Sequence, residues 1–310
     1  MLTYSKLAKK PKQFRSFTGL EAEEFDKLFG FVSREYPEYE RERLERKGRE
    51  RAIGAGRPFK LELRDRLLML LVYYRQYMSY ALAGYLFDLD LSNVCRDIRQ
   101  LEPLVKRCIP LPKKVHNRAK KIGTIEELLT YYPELKAILD ATEQEIPRPK
   151  NRRRRKSYYS GKKKRHTVKT QLIVNRKGLI VDKRGPFRGR KHDYRIFKDT
   201  HPRIPPDVEI EADSGYQGIQ DDFPGIRSRI PVKKQRGRKL GEKARKRNRK
   251  LSKSRVVVEH VLSKMKKFGI MGQEFRNGLG HYGDMTDIVS GLVNFRTMLK
   301  EGMDVSAFVG

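Results

Sequence analysis

Ala137-Ile-Leu-Asp-Ala-Thr142 is the stretch from which the fold can be read. Three apolar residues run into an aspartate and then into small polar ones, after the approach Tyr131-Tyr-Pro133. A short apolar run ending in a carboxylate reads as a buried strand, Ile138–Asp140, that delivers a charge to the edge or mouth of a sheet. The pattern recurs in Val208-Glu-Ile-Glu-Ala-Asp213-Ser-Gly-Tyr216, where a second strand hands Asp213 to a glycine turn. A third acid arrives on a helix, Arg255-Val-Val-Val-Glu259-His-Val-Leu-Ser-Lys-Met-Lys266. Two strand aspartates and one helical glutamate, set among dense positive charge, suggest a metal-dependent site for phosphoryl transfer on nucleic acid.

Around these acids, strands and helices alternate. Thr167–Val174 and Gly178–Asp182 read as a β-hairpin about Asn175-Arg-Lys-Gly178. His192 to Asp199 starts a helix, Ile210–Asp213 is the next strand, and Arg255–Phe268 and Asp284–Leu299 are helices. Strand, hairpin, helix, strand, basic insertion, helix is an α/β layout with a mixed sheet.

The bulk composition agrees with a nucleic-acid partner. The 310 residues carry a formal charge of +33, and each cation placed on a phosphate releases condensed counterions. The charge is local: Lys150–Arg165 holds ten basic residues and no acid, and Lys233–Lys253 twelve and one acid. The second run is expected to be extended and then helical, ordering against nucleic acid. The longest apolar run, Leu67–Tyr74, falls far short of the ~20 residues of a membrane span, and Met1–Lys10 lacks the apolar core of a signal peptide. The two cysteines, Cys95 and Cys108, make neither a disulfide framework nor a zinc knuckle, which points to the reducing cytoplasm.

The amino-terminal third reads as helical. Thr18-Gly-Leu-Glu21 has the form of a capping box opening a helix through Phe25, Leu28, Phe29 and Val32. Glu35–Arg51 is a mixed-charge segment, and Gly54-Ala-Gly-Arg-Pro58 marks a boundary. Leu61 to Arg107 holds three helices: one on Leu63, Leu67, Leu70, Leu71 and Tyr74, a short one over Tyr80–Phe87, and a third capped by Ser92 running through Val94, Ile98 and Leu101. With Gly84 where two helices cross closely, this fits a helix-turn-helix whose third helix offers Asn93, Arg96, Arg99 and Gln100 to a groove. A plain three-helix bundle with polar residues outward is the bland alternative; the charge and the acids downstream favour DNA binding.

Phosphoryl transfer needs an activated water or hydroxyl and a stabilised leaving oxygen, and two divalent ions ~3.5–4 Å apart serve both. On the glutamate helix, Arg255, Glu259, Leu262 and Lys266 fall within roughly 40° of one another at ~100° per residue, with Val257, Val261, Met265 and Phe268 on a separate apolar face. Taken alone, Arg255 and Glu259 could be a surface pair worth a few tenths of a kcal/mol. Asp182, Glu143, Glu145 and Glu211 compete as strand acids, His192-Asp193 reads as a helix start, and spacing alone does not choose among them.

The order Leu-Asp140-Ala-Thr142, Tyr158-Tyr-Ser-Gly-Lys-Lys-Lys-Arg-His-Thr-Val-Lys169, Ala-Asp213-Ser-Gly-Tyr-Gln-Gly218 and Arg255-x3-Glu259-x6-Lys266 resembles the DDE transposases of bacterial and archaeal insertion sequences, in the branch related to the Harbinger transposases. The resemblance covers roughly residues 57 to 300. It implies a ribonuclease-H-like core, α/β with a mixed sheet flanked by helices and preceded by an all-α helix-turn-helix domain. It also implies two Mg²⁺ ions, with Mn²⁺ able to substitute, and cleavage followed by strand transfer at inverted-repeat ends. Asp140, Asp213 and Glu259 match the catalytic and metal-binding acids. Arg255 and Lys266 match cations expected on the DNA backbone, and Lys162, Lys163, Lys164 and Arg165 a segment lining the DNA path. Ala141 stands where a glycine is frequent. The expected organisation is a helical segment (1–56), a helix-turn-helix domain (57–115), a catalytic domain (116–300) containing the basic insertion 233–253, and a tail (301–310). Double-stranded DNA, both element ends and target, is the expected partner, with at least a dimer at paired ends and a nucleoid-associated cytoplasmic protein. The rival readings are a DNA-binding relative without cutting activity and a metal-dependent nuclease indifferent to sequence.

Overall fold

The computed structural model describes residues 1–309 except 46, 47, 49, 51, 53, 57, 120–123, 203, 235, 236 and 238. Parts of the expected boundary at 54–58 and of the basic insertion therefore lie outside the described residues. The chain divides into two compact units: Met1–Leu111, Lys267–Gly272 and Asp284–Gly310 form the first, Pro112–Lys266 and Gln273–Gly283 the second.

The first unit begins with six helices, α1 (Tyr4–Leu7), α2 (Pro11–Thr18), α3 (Ala22–Leu44), α4 (Leu63–Gln76), α5 (Tyr80–Phe87) and α6 (Leu91–Cys108). The expected capping box at Thr18 is displaced by three residues. Gly19, at φ 81°, ends α2 in the left-handed conformation, and the Thr18 hydroxyl donates back to the Phe14 carbonyl at 2.7 Å. The working box is Glu21 and Glu24, whose carboxylate accepts the Glu21 N–H at 2.8 Å and opens α3. Tyr4, Phe14 and Phe25 then close an aromatic cluster with centroids 5.0–5.8 Å apart. Residues 1–44 are thus no separate segment; α2 packs on α4, and α3 on α6.

Every residue from Arg66 to Tyr74 of α4 is buried, so the longest apolar run is a core helix. Among the described residues no helix is long and apolar enough to cross a membrane. Arg66 lies over the Phe59 ring at 3.5 Å and pairs with Asp97 of α6 at 3.2 Å, both side chains nearly sealed from solvent.

Helix α5, its turn and α6 have the anticipated layout, with two local corrections. The residue before α6 is Asp90, so Ser92 lies inside the helix rather than capping it. Gly84 serves the turn rather than a helix crossing: its carbonyl accepts the Leu89 N–H at 2.9 Å, and a Cβ there would stand 2.4 Å from the Leu89 carbonyl oxygen. Gly84→Ala should therefore cost about 2 kcal/mol, read as a lower urea midpoint with unchanged slope. An unchanged midpoint would show that the turn is slack.

The second unit carries α7 (Pro112–Ala119), α8 (Ile125–Tyr131), β1 (Lys136–Glu145), α9 (Arg152–Tyr158), β2 (Tyr159–Ser160), β3 (Arg165–Asn175), β4 (Ile180–Arg188), α10 (Asp193–Thr200), β5 (Glu209–Glu211), α11 (Ile219–Asp222), β6 (Ser228–Arg229) and α12 (Glu242–Lys266). β1 pairs antiparallel with β3 and parallel with β5, and β6 extends the parallel edge. β4 and the short β2 share the far side of β3. An antiparallel hairpin beside a central strand followed by two parallel strands is the ribonuclease-H-like order of the expected mixed sheet. The hairpin turns as foreseen: Asn175 Oδ1 accepts the N–H groups of Lys177 and Leu179, both at 2.9 Å, and Gly178 takes φ 84°. The described part of the second basic run is helical from Glu242, continuous with the glutamate helix as α12.

The chain then returns to the first unit through α13 (Gly269–Gly272) and most of α14 (Tyr282–Lys300). Asn294 Nδ2 donates to the Pro110 carbonyl at 3.1 Å, and Arg296 Nε meets Glu24 at 2.8 Å. Residues 284–309 were expected in the catalytic domain and a tail. They cluster with the amino-terminal helices, and Ile288, Leu292 and Phe295 are fully buried.

Candidate active site

Asp140 lies in the middle of β1, not at its end, since β1 continues along β3 to Glu145. What ends beside it is β5. The parallel register sets Ile138 against Glu211, the last residue of β5, so the same step carried two residues further brings Asp140 level with Asp213. The mouth of the sheet is opened by the shorter neighbour.

Each aspartate is aimed by the backbone. Asp140 Oδ1 accepts the Ala141 N–H at 2.8 Å, and Asp213 Oδ1 accepts the Gly215 N–H at 2.8 Å as it caps the single 3-10 turn Ser214–Tyr216. Burial pushes the pKa of Asp140 upward, and the nearby charges of Asp213 and Asp193 push it further; the Ala141 N–H and Arg255 act in the opposite sense. Asp140, Asp213 and Asp193 therefore share one electrostatic environment. Asp193 sits in the first turn of α10 and is held by Lys169 Nζ at 2.9 Å. Lys169 also lies 3.4 Å from Glu143, whose other oxygen accepts from the Thr167 hydroxyl at 2.8 Å. Gln171 Nε2 bridges the Asp193 carbonyl at 3.1 Å and the Tyr216 hydroxyl at 3.0 Å, tying α10 to the turn after Asp213.

Helix α12 brings the cations. Leu251, Val258, Val261 and Met265 form its buried seam. The apolar face thus centres on Val258 where Val257 was expected, and the helix ends before Phe268. Ser254 and Arg176 anchor the helix to the buried carboxylate of Glu211: the Ser254 hydroxyl donates to it, and Arg176 Nη2 lies 3.6 Å from it. Arg255 follows Ser254, and its Nε is buried without a hydrogen-bond partner. At the other end of the stripe, burial and the charge of Lys163 lower the pKa of Lys266, against the attraction of Asp140 and Glu143. Lys163 stands with Lys162 and Lys164 on the exposed turn between β2 and β3, where the Lys164 N–H closes on the Ser160 carbonyl at 2.8 Å. Arg165, the first residue of β3, is exposed beside them.

Glu259 lies between Arg255 and Lys266 on the same stripe of α12. It stands ~100° around the helix from Val258 and is exposed. Among the described residues no three Asp, Glu, His or Cys side chains stand close enough to hold one metal ion. The structure thus brings Asp140 and Asp213 together, with Glu259 exposed on the helix that carries Arg255 and Lys266. Of the competing acids, Glu211 and Glu143 are spoken for as described, Asp182 pairs with Arg184 at 2.7 Å, and Glu145 is exposed at the end of β1. Sequence reasoning passed over Lys169, Gln171 and Tyr216. It read Asp193 only as a helix start, which it is; its closeness to Asp140 depends on the strand register and has no local signal.

In the first unit, Arg96 and Arg99 of α6 are exposed and Asn93 is half-buried. Gln100 is half-buried, and its main-chain carbonyl accepts the Tyr39 hydroxyl at 2.7 Å.

Hard oxygen donors on β1 and on the turn after β5, one of them desolvated and beside further acids, fit a divalent cation of the magnesium type. The orphaned Arg255 guanidinium nitrogen and the exposed Lys266 fit a phosphate next to it.

Two family models match segments of the chain. Residues 139–294 match the model of the DDE superfamily endonuclease, and residues 59–111 that of the helix-turn-helix of DDE superfamily endonuclease. The chain is 34% identical over 247 residues, 79% of its length and 84% of the relative's, to a protein of Microchaete diplosiphon named as a transposase for insertion sequence element IS702. It is 24% identical over 267 residues, 85% of its length and 87% of the relative's, to one of Streptomyces albus G named as a transposase for insertion sequence element IS112. No solved structure matches. With both matched segments in order and a relative at this identity along most of its length, the chain belongs to the DDE superfamily of endonucleases, with that superfamily's helix-turn-helix preceding the catalytic fold.

Proposed function

We propose that the protein is the transposase of an insertion sequence, reading the element's ends through α6 and cutting and joining DNA at Asp140 and Asp213. The observation that carries this reading is the pairing of those aspartates at the mouth of the sheet, with Arg255 and Lys266 delivered beside them by one helix. Asn93, Arg96 and Arg99 would contact base edges and phosphates in the major groove. Lys162, Lys163, Lys164 and Arg165 would neutralise the strand approaching the site, and Arg255 and Lys266 the phosphate to be cut. We assign the third acid to Glu259, on the helix that carries both of those cations. Two Mg²⁺ ions, when bound, would supply the activation of the attacking oxygen and the stabilisation of the leaving one. Paired ends call for at least a dimer, acting on cytoplasmic, nucleoid-associated DNA.

Two rivals are a relative that binds DNA without cutting it and a nuclease indifferent to sequence. One assay separates them. Duplexes bearing the element end, taken from the DNA flanking the gene, should be nicked in Mg²⁺ and not in EDTA, and at least ~10-fold faster than scrambled duplexes. Glu259→Gln should lower the rate about 100-fold. End binding without any metal-dependent nicking would make the protein a regulator, equal rates on scrambled DNA a general nuclease, and wild-type nicking by Glu259→Gln would remove that residue from the site.

A further inference from the structure

A cavity of about 910 Å³ opens in the second unit between β1, α9, the β2–β3 turn and the start of α10. Arg148, Arg155, Lys156 and Arg190 line it with cations. Arg155 Nη2 is spent on the Lys150 carbonyl at 3.0 Å, but its Nε is buried without a partner. Tyr159 and His166 face the cavity as a ring pair, centroids 5.6 Å apart and planes at 70°. Tyr159 keeps 41% of its surface exposed. Burial, with Arg148 and Arg155 next, holds the pKa of His166 below its ordinary value, which favours a neutral ring. The remaining wall is the ion-paired cluster of Glu143, Lys169 and Asp193.

We propose that this cavity receives a single unpaired nucleotide of the DNA strand beside the cut, its phosphate on the arginine side and its base against Tyr159. The volume suits a small molecule, whereas the major groove of a duplex is alone ~12 Å wide. The cations and the orphaned guanidinium nitrogen call for a phosphate. The carboxylates on the opposite wall repel one, so the charge distribution orients the guest. Tyr159 offers the π-face that an unstacked base takes in place of its neighbours. Position fixes which nucleotide. Asp193, whose charge acts on Asp140, is itself part of the cavity wall, so a strand whose phosphate lies at the aspartates passes the cavity within its next few links. The inference rests on the transposase reading and adds to it a step that unpairs the DNA, easiest where pairing is already weak.

The test uses the full-length protein and end-bearing duplexes carrying 5-iododeoxyuridine at one position at a time around the cut. Irradiation should crosslink Tyr159, mapped by mass spectrometry, from a single position. A mismatch opposite that position should tighten binding roughly 10-fold in fluorescence anisotropy. Tyr159→Leu should abolish the crosslink and weaken binding of the mismatched duplex roughly 5- to 100-fold, the worth of one stacked base. Arg155→Gln, which leaves the ring pair in place, should lower the salt slope of binding by about one. If the wild-type protein nicks its ends but no position crosslinks to Tyr159, or if the mismatch gain survives in Tyr159→Leu, the cavity proposal is wrong and the transposase reading stands. If the protein binds no end DNA, both fall.

Discussion

Asp140→Asn should reduce end cleavage by at least about 10³-fold, roughly 4 kcal/mol of activation free energy, while raising the melting temperature of the metal-free protein by a few degrees. The two effects share a cause. Folding moves the Asp140 carboxylate out of water and next to Asp213 and Asp193, so its folded-state pKa lies above the unfolded value. Ionisation of this group therefore costs the native state free energy at neutral pH. Asparagine has nearly the same shape and bears no charge, so the cost disappears along with the ligand that a cation would need. The gain should shrink as pH falls through the folded-state pKa of Asp140 and vanish below its unfolded value, about 3.9, where the wild-type side chain is neutral in both states. Melting curves in EDTA at pH 7 and pH 4, read beside a nicking assay, check both halves. A variant that is less stable than wild type at pH 7 would show that Asp140 is a structural residue.

Arg66→Met should destabilise the first unit by about 3–5 kcal/mol, because it strands Asp97 in the interior without its partner. The two side chains are 2% and 9% exposed and meet at 3.2 Å. Asp97 has a raised pKa all the same: burial outweighs the attraction of Arg66. The pair is thus a poor source of stability while intact and a severe liability when broken. Removing both charges, in Arg66→Met with Asp97→Leu, should recover most of the loss. Urea unfolding of the two single variants and the double variant measures the coupling. Additive losses would contradict the pairing. End binding should follow the same order, since α4 and α6 are the helices the pair joins.

Much of this molecule is legible because its local signals are strong. Leu63, Leu67, Leu70, Leu71 and Tyr74 repeat at helical spacing, and α4 follows them. Asn175 and Gly178 announce the hairpin, and the side chain of Asn175 makes the turn. Short-range rules failed where two of them overlapped: Thr18 and Glu21 satisfy a capping pattern, but Gly19 ends the preceding helix first. The apolar seam of α12 missed by one residue because Arg255-Val-Val-Val-Glu259 offers three adjacent valines, and only the sheet decides that Val258 is the one to bury. At the site, the two aspartates could be found as strand acids, yet their adjacency depends on a parallel register set by residues about seventy positions apart. Asp193, Lys169 and Gln171 carry no signal in sequence, because their roles arise only when α10 is laid against β3. The destination of α14 was invisible for a similar reason: its buried face says that something covers it, not which unit does.

Since α14 closes against Pro110 and Glu24, the DNA-reading unit is finished by residues that leave the ribosome after every strand of the sheet. A premature stop between residues 112 and 284 yields an amino-terminal fragment with every helix of the reader up to α6 but without the last wall of its core. Shortened copies of the gene would on this account produce poorly folded fragments for proteases, not competitors that occupy the element's ends.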